Sequence, residues 1–376
     1  MSECNDVSCN EQLNSAIALS QIVGVGPRQA TLLTEYAGSA EGVFQLTREQ
    51  LVGIPGIGGR TADAVLGAFP EQLAASVRAE CERLRIRMIP RGQPDYPERL
   101  GEICDPPAVL YQRGVLLPTD RLAVAIVGSR RCTAYGQRHA ERLAGQLARA
   151  GLTVISGLAR GIDQAAHRGA LTAGGRTIAV LPAGVGRIYP PEHLELAQEI
   201  SEQGALISEY PPAQRLVPGL FPQRNRIISG LSIGVILIEA GRRSGALHTA
   251  RHALEQGREV MALPGPVDSL ASGGCHDLIR DGVALVRNVD DILESLGPLP
   301  APVARSSGIT VSSPRELVLN ALESRVLNVV GFQPSAVDSV LANCPEEASQ
   351  VLATLTVLEM RRLIRRLPGN QLVRCS

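Results

Sequence analysis

From Leu122 onward the chain alternates short apolar runs with stretches of helical character, and this alternation limits the possible folds more than any other feature. The runs are apolar throughout instead of at every second residue. They read AVAIVGS, LTVISG, RTIAVLPAG, ALISEY, IGVILIEA and EVMALPG. Strands of this composition are buried on both faces, as in parallel sheets covered by helices. The sequence therefore predicts an α/β fold with a Rossmann-like, doubly wound, mostly parallel sheet.

The segment before this alternation, residues 1–90, has a different pattern. Its helical stretches are interrupted at Ile22–Leu33 and Leu51–Leu66 by Gly-x-Gly turns that resemble helix-hairpin-helix motifs, as in SAM-like helical domains. Glycine permits the tight turn, and amide groups at the next helix start can face a phosphate. The segment holds seven Arg against ten acidic residues, an excess that opposes strong DNA binding. A helical interaction or spacer domain is therefore an equal alternative.

The other domain boundaries follow from composition. The Rossmann-like domain is expected to span residues 91–297, starting with a connector rich in Pro and Gly. Residues 298–314 are rich in Pro, Gly and Ser without an apolar period, which is typical of a flexible linker. Residues 315–376 show a helical stretch around Glu316–Leu327, a second helical stretch, a longer third helix and a Gly-turned ribbon, which predict a winged helix. If that domain reads DNA, its third helix is the candidate for entering the groove.

Small residues combined with hydroxyls, amides and arginines follow five strands of the predicted sheet. These loops contain GSRR, SGLARGID, PAGVGRIYPP, FPQRNR and EAGRRSGALHTA. The carboxyl ends of parallel strands meet at one edge of a sheet, and ligands of such sheets bind there. Several backbone turns that converge on this edge predict a phosphate-binding rim.

The same loops hold four of the ten aromatic residues, Tyr135, Tyr189, Tyr210 and Phe221. Nucleic-acid bases stack on such rings in proteins that bind single strands. The combination of aromatic rings with a phosphate-binding rim favours a nucleotide or a single strand as ligand. A ring taken alone, however, is more typical of the closure of a sheet edge or of a subunit contact.

Several classes of enzyme are disfavoured by the residues at this edge. The loop after the first strand lacks the G-x-G-x-x-G spacing of NAD-binding proteins. All 37 basic residues are Arg, so a P-loop lysine is absent. His248 and His252 lie four apart on a predicted helix but lack the glutamate of the HExxH motif, so no metal site is expected. Asp163 and Glu239 could be catalytic acids, but helix capping explains Asp163 as well.

Charge and cysteine content limit where the protein acts. Because 37 basic residues balance 37 acidic ones, any nucleic-acid site must be local. The eight cysteines form no CxxC pair, which argues against a disulfide framework and against a structural metal. The N-terminal sequence has no signal-peptide pattern, and no apolar run is long enough to span a bilayer. A cytoplasmic protein without membrane association is expected.

Five motifs taken together, GSRR, SGLARGID, PQRNRIISGLS, EAGRRSGALHTA and ALPG, resemble the DNA-processing protein A family, which is also called Smf. The resemblance covers the helical N-terminal segment, the Rossmann-like centre and the winged helix with its LPG wing. It implies binding of single-stranded DNA, self-association as a homodimer, and loading of the recombinase RecA onto incoming DNA during natural transformation. It implies neither catalysis nor a cofactor.

The resemblance also implies roles for particular residues. Arg224, Asn225 and Arg226 would line one pocket, with the two guanidinium groups on adjacent phosphates or a base edge. Alternatively, Arg226 pairs internally, for instance with Glu239, and only Arg224 faces the ligand. The other residues expected at the nucleic-acid site are Gly128, Ser129, Arg130, Ser156, Gly157, Arg187, Ser244 and Gly245.

Two other functions remain open from the sequence. The stretch SGALHTA is similar to the PGGxGTxxE loop of nucleotide-binding phosphoribohydrolases, but those enzymes need a glutamate where Thr249 and Ala250 stand here. A sequence-specific regulator acting through the winged helix is the other alternative, since five arginines cluster near its wing. These are Arg361, Arg362, Arg365, Arg366 and Arg374.

Overall fold

A computed structural model describes residues 3–217, 219–298, 303–304 and 310–375 of the chain. It divides the chain into two compact units, residues 1–285 and residues 286–376. The predicted linker at residues 298–314 lies mostly outside the described residues.

The N-terminal segment is helical, as its sequence predicts. Two turns contain glycines with positive φ, Gly24 at +92° and Gly56 at +89°, and each turn leads into a helix. The apolar side chains of these hairpins form their own core. The helices are α1 (Glu3–Gln21), α2 (Pro27–Ala37), α3 (Ala40–Val43), α4 (Arg48–Gly53), α5 (Gly59–Leu66) and α6 (Pro70–Leu84).

Nine strands form one sheet in the first unit. In spatial order the strands are 1-2-6-5-4-3-7-8-9, and only the pairs 1–2 and 2–6 are antiparallel. The predicted Rossmann-like, mostly parallel sheet is therefore confirmed. The strands are β1 (Arg87–Pro90), β2 (Val109–Gly114), β3 (Ala123–Gly128), β4 (Thr153–Ser156), β5 (Thr177–Val180), β6 (Ala205–Ser208), β7 (Gly234–Ile238), β8 (Glu259–Ala262) and β9 (Ala284–Leu285).

Helices connect the strands of the parallel part. They are α8 (Ala134–Ala150), α9 (Ile162–Thr172), α10 (Leu194–Gln203), α11 (Leu220–Gly230), α12 (Ala246–Glu255) and α13 (Gly273–Arg280), while the short α7 (Glu98–Gly101) lies between the antiparallel strands β1 and β2. Strands β3 to β7 are buried on both faces, since consecutive residues along each of them are buried. Helices α1 and α6 also pack on the sheet, because Ile17 and Val77 belong to the same apolar cluster as Tyr111 and Leu206.

The second unit contains the expected winged helix. Its third helix is followed by an antiparallel ribbon whose strands pair Ile364 with Arg374 and Leu367 with Gln371. The elements are α14 (Val289–Ser295), β10 (Val303–Ala304), β11 (Thr310–Val311), α15 (Ala321–Val329), β12 (Ser335–Ala336), α16 (Val337–Ala342), α17 (Ala348–Met360), β13 (Ile364–Leu367) and β14 (Gln371–Arg374).

One helical prediction in this unit differs from the structure. A single helix is expected around Glu316–Leu327, but the chain forms a 3-10 helix at Pro314–Val318 and then begins α15 after Asn320. The Asn320 side chain accepts a hydrogen bond from the Glu323 amide, and the Glu323 carboxylate accepts one from the Asn320 amide. This capping box satisfies amides at the start of α15, so the helix begins there.

Candidate nucleic-acid site

A cavity of about 630 Å³ opens at the carboxyl ends of β3 and β7. These neighbouring parallel strands mark the point where the strand order reverses, which is where ligands bind in sheets of this kind. Residues from the loops after β3, β4, β7 and β8 and from the start of α11 line this switch-point cavity. The convergence of several loops, which the sequence predicts, is therefore present.

The loop after β3 supplies exposed cations to the cavity. Arg130 and Arg131 both line it, together with Gly128 and Ser129. The Arg130 guanidinium carbon lies 4.2 Å from the centre of the Phe221 ring, which is a cation–π arrangement. Tyr189 packs edge-on against the same ring, with 6.2 Å between the ring centres. A guanidinium and two aromatic rings thus stand together at the cavity.

Glu239, directly after β7, holds this loop in place. Its carbonyl oxygen accepts a hydrogen bond from the Ser129 amide at 2.9 Å. Its carboxylate accepts one from the Thr133 amide at 2.7 Å and another from the Thr133 hydroxyl. Glu239 has φ of +49°, a conformation that non-glycine residues adopt only when their surroundings enforce it. The buried Glu239 therefore fixes both ends of the segment that carries Arg130 and Arg131.

Arg224 lies at the floor of the cavity, and only 4% of the residue is exposed. Its Nη1 donates a hydrogen bond to the Val180 carbonyl oxygen at 2.6 Å. The guanidinium packs so closely on Gly157 that a Cβ at that position would overlap it. Burial lowers the pKa of Arg224 to about 10; the Asp163 charge opposes this shift and the Arg130 charge adds to it. Arg130 and Arg224 are thus neighbours.

The loop after β7 forms the opposite wall. Ser244 and Gly245 line the cavity, and the Gly245 carbonyl oxygen accepts a hydrogen bond from Asn225 Nδ2 at 3.3 Å. The Ser244 hydroxyl accepts the Ala246 amide at 3.3 Å, at the start of α12. Asn225, which also lines the cavity, thus connects α11 to this loop.

Arg226 differs from the expectation that it shares the pocket with Arg224. It is 3% exposed and does not line the cavity. Its Nε donates to Asp105 Oδ2 at 2.9 Å and its Nη2 to Glu209 Oε2 at 2.7 Å. Residues two apart on a helix face opposite sides, so α11 directs Arg224 and Arg226 in different directions. The internal pairing expected as the alternative is present, but Glu239 is not the partner.

Three further predicted residues lie outside the cavity lining. The Ser156 hydroxyl is fully buried and donates to the Ile126 carbonyl oxygen at 2.6 Å. Gly157 contacts the Arg224 guanidinium and leaves no room there for a Cβ. Arg187 is exposed on the loop after β5, where its amide donates to the Gly184 carbonyl oxygen at 2.8 Å. Two of these residues therefore support the site from within the fold.

Asp163 is the carboxylate that lines the cavity within the described part of the chain. Burial raises its pKa, while Arg224, the Ala159 amide, Ser156 and Arg130 all oppose that shift. Its Oδ2 accepts the Ala159 amide at 3.3 Å in the first turn of α9. Asp163 thus stands in the first turn of α9, where a carboxylate is stabilised by free amides, but the amide that it binds belongs to the loop before the helix and not to a helix cap.

The cavity lining also includes residues outside the set that the sequence predicts for the site, among them Arg131, Arg243, His248 and Leu270. Arg131, Arg243 and His248 lie within the quoted motifs GSRR and EAGRRSGALHTA, so their position after β3 and β7 is an available signal. Leu270, which is 93% exposed, follows β8 in a stretch without a recognisable motif. Within the described ranges, no carboxylate is within ion-pair distance of Arg130, Arg131 or Arg243. The cavity is therefore electropositive.

The described side chains contain no group of three or more His, Cys, Asp or Glu placed to hold a metal ion. None of the described helices has both the length and the apolar character that crossing a bilayer requires.

Comparison with known families gives two matches along the chain. The family model described as DNA recombination-mediator protein A matches residues 87–297. The model described as DprA winged helix domain matches residues 310–370. Both regions coincide with the elements described above.

Individual relatives agree with these matches. Protein Smf of Escherichia coli (strain K12) is 40% identical over 306 residues, 81% of this chain and 81% of that protein. DNA processing protein A from Streptococcus pneumoniae has a TM-score of 0.66 at 34% identity, over 75% of this chain and 97% of that chain. The structure of DNA processing protein A from Helicobacter pylori, which is described with a single-stranded DNA binding mode, has a TM-score of 0.51 at 31% identity. The match covers 56% of this chain and 95% of that chain.

Proposed function

Because this chain belongs to the DNA recombination-mediator protein A family, we propose that it binds single-stranded DNA in the switch-point cavity. The observation that carries this proposal is the group of Arg130, Arg131 and Arg243, cations without a carboxylate partner among the described residues, beside the Phe221 ring. Arginine neutralises phosphates, and an aromatic ring offers a stacking surface to an unpaired base. Duplex DNA keeps its bases stacked and unavailable to the ring.

The buried part of the cavity gives the site its shape. Arg224 cannot move far, because Val180 and Gly157 fix its guanidinium. It therefore contributes a preorganised positive charge to a ligand that enters the cavity, while Arg130 at the exposed rim can adjust. Asn225 on α11 and Ser244 and Gly245 after β7 are further polar residues of the cavity lining.

Binding of single-stranded and double-stranded oligonucleotides over a series of salt concentrations tests the proposal. Single strands should bind more tightly, and Arg130→Ala should weaken their binding by about tenfold or more, the range of a hydrogen bond to a charged group. The slope of log K against log salt should become shallower by about 0.7 for each phosphate that the variant no longer neutralises. Arg113→Ala, an exposed arginine on β2 away from the cavity, is the matched control.

Equal affinity for both forms of DNA, or equal binding by Arg130→Ala and the unmodified protein, would contradict the proposal. A phosphoribohydrolase-like activity would appear as release of free base from a nucleotide. We expect none, because the Asp163 carboxylate is engaged by the Ala159 amide and Thr249 occupies the glutamate position of those enzymes.

We further propose, from the family resemblance, that the protein acts in the cytoplasm as a homodimer, protects incoming single strands and loads RecA onto them during natural transformation. The test is RecA filament formation on a single strand with and without this protein. The Arg130→Ala variant should accelerate loading less than the unmodified protein does. An identical RecA loading rate with and without the unmodified protein would exclude the RecA role and leave DNA binding intact.

A further inference from the structure

A second concave surface lies between α8 and α9, outside the switch-point cavity. It has a volume of about 470 Å³ and is lined by four exposed arginines, Arg138, Arg142, Arg149 and Arg168. We call it the basic groove. Three of the four arginines lie on α8 and one on α9.

Two glycines create the groove by bringing the helices close together. A Cβ at Gly145 would lie 3.1 Å from the Gly169 carbonyl oxygen, and a Cβ at Gly169 would overlap the backbone of Glu141. The helix backbones therefore meet at this crossing, while long side chains stand on either side of it. The floor of the groove is backbone and its walls are guanidinium groups.

The groove carries excess positive charge. Glu141 is the acidic residue that lines it, and its Oε1 already accepts a hydrogen bond from Gln137 at 3.2 Å. Of the described carboxylates, none is within ion-pair distance of Arg138, Arg149 or Arg168. Burial lowers the pKa of the nearby His139, and the Arg142 and Arg138 charges lower it further. This surface is therefore suited to a polyanion.

A nucleic acid fits the groove better than a protein does. Protein interfaces are centred on buried aromatic or aliphatic anchors. No large apolar side chain of α8 or α9 is exposed in the described structure. Guanidinium groups around a backbone floor, without an apolar centre, match a chain of phosphates.

One helix leads from the loop at the cavity to the basic groove. Helix α8 begins at Ala134, directly after the loop that carries Arg130 and Arg131. Arg138 stands about 6 Å along the helix axis from its start, and Arg149 about 16 Å beyond Arg138, at 1.5 Å per residue. A strand that leaves the cavity past Arg131 would meet these arginines in succession.

We propose that the basic groove binds the sugar-phosphate backbone of the same single strand that enters the switch-point cavity. The proposal rests on the proposed function, since it extends the path of the ligand assigned there. The cavity holds one short stretch of the strand, and the groove binds the phosphates that follow.

The test compares two lengths of oligonucleotide on the full chain. Single-strand sites span roughly 4 to 16 nucleotides, so a strand of about six should occupy the cavity alone and one of about 20 should reach the groove. The triple variant Arg138→Ala, Arg149→Ala, Arg168→Ala should bind the long strand about tenfold or more weakly. Its salt slope should be shallower by about two units, because each neutralised phosphate contributes about 0.7 to the slope. Its affinity for the short strand should not change.

The triple Arg→Lys variant is the matched control, because lysine also contacts phosphate as a point charge; it should retain most of the salt slope. Thermal unfolding checks that the exposed substitutions leave the fold intact. Unchanged affinity of the triple Ala variant for the long strand would overturn the inference. Binding of a protein in the groove would not rescue it. If Arg130→Ala still weakens both lengths in that case, the proposed function stands and only the groove is excluded.

Discussion

The switch-point cavity and the C-terminal unit use arginine in opposite ways. At the cavity, Arg130, Arg131 and Arg243 have no carboxylate within ion-pair distance among the described residues. In the C-terminal unit most arginines form ion pairs. The pairs are Arg287–Asp291, Arg315–Glu294, Arg325–Glu346, Arg361–Glu323, Arg362–Glu294, Arg366–Glu359 and Arg374–Glu316. Arginine content alone therefore does not predict an anion site, because the placement of carboxylates decides which guanidinium groups remain available.

The third helix of the winged helix strengthens this contrast. Helix α17 contains no basic residue, and its exposed side chains include Leu352, Val357 and Met360. A helix that enters a DNA groove normally contributes cations to nearby phosphates. The third helix was the candidate for entering a groove only if this domain reads DNA, and its lack of basic residues does not favour that role. We expect the C-terminal unit to contribute little to DNA affinity.

The largest change in the free energy of unfolding is expected when a paired arginine of the first unit is replaced. Arg226→Ala removes the partner of the buried Glu209 and of Asp105. The loss should lower the free energy of unfolding by about 4 kcal/mol, because a buried carboxylate is left without compensation. Denaturant unfolding measures this change. Arg243→Ala, at the exposed cavity wall, should stay within about 0.5 kcal/mol of the unmodified protein; equal stability of the two variants would remove the distinction between paired and unpaired arginines.

A second variant tests the contribution of an ion-paired arginine in the C-terminal unit. The side chains of Arg374 and Glu316 are only 10% and 9% exposed, and Arg374 Nη2 lies 2.8 Å from Glu316 Oε1. Arg374→Ala should therefore destabilise this unit by about 3 kcal/mol, at the low end for a broken buried pair. Single-stranded DNA affinity should not change. Arg365→Ala, at an exposed position on the ribbon, is the matched control and should alter neither quantity; weakened DNA binding by either variant would show that the C-terminal unit shares the ligand.

The third test, whose expected effect per pH unit is the smallest of the three, concerns a buried histidine near Arg224. His167 is fully buried, with its Nδ1 2.7 Å from the Thr177 hydroxyl oxygen. Burial lowers its pKa from 6.5 to about 3, and the charges of His193 and Arg224 act in the same direction. Between these two pH values the unfolded chain binds one more proton than the folded chain. The free energy of unfolding should therefore fall by about 1.4 kcal/mol per pH unit as the pH decreases through this window.

His167→Asn removes this titration and should flatten the dependence of stability on pH across that window. Chemical unfolding of both proteins at several pH values measures it. Above about pH 7.5 the difference between the two proteins should be constant, because His167 is neutral in both states. Parallel stability curves at lower pH would mean that His167 accepts a proton in the folded protein.

Much of the fold was predictable, because burial on both faces gives a continuous apolar run that is readable in the sequence. Strands β3 to β8 and the helices between them follow the predicted alternation. The antiparallel pairing of β1 with β2 was not predicted, since β1 has only four residues and lies at the end of a segment whose sequence pattern is helical. The start of α15 was readable in principle, because Asn320 and Glu323 have the spacing of a capping box.

The sequence by itself determined that the chain forms a parallel sheet and that its Gly- and Arg-bearing loops meet at one edge. The alternation of apolar strands and helices is a local property of the sequence. Because the strands are parallel, the loops after them lie at the same edge of the sheet. Only the tertiary structure decided which guanidinium groups face the cavity. On α11 the helical rotation separates Arg224 from Arg226, and the carboxylates that bind Arg226 come from Asp105 and Glu209, 121 and 17 residues away in the chain. Such partners meet only after folding, so no local pattern distinguishes a structural arginine from one that is free to bind a phosphate.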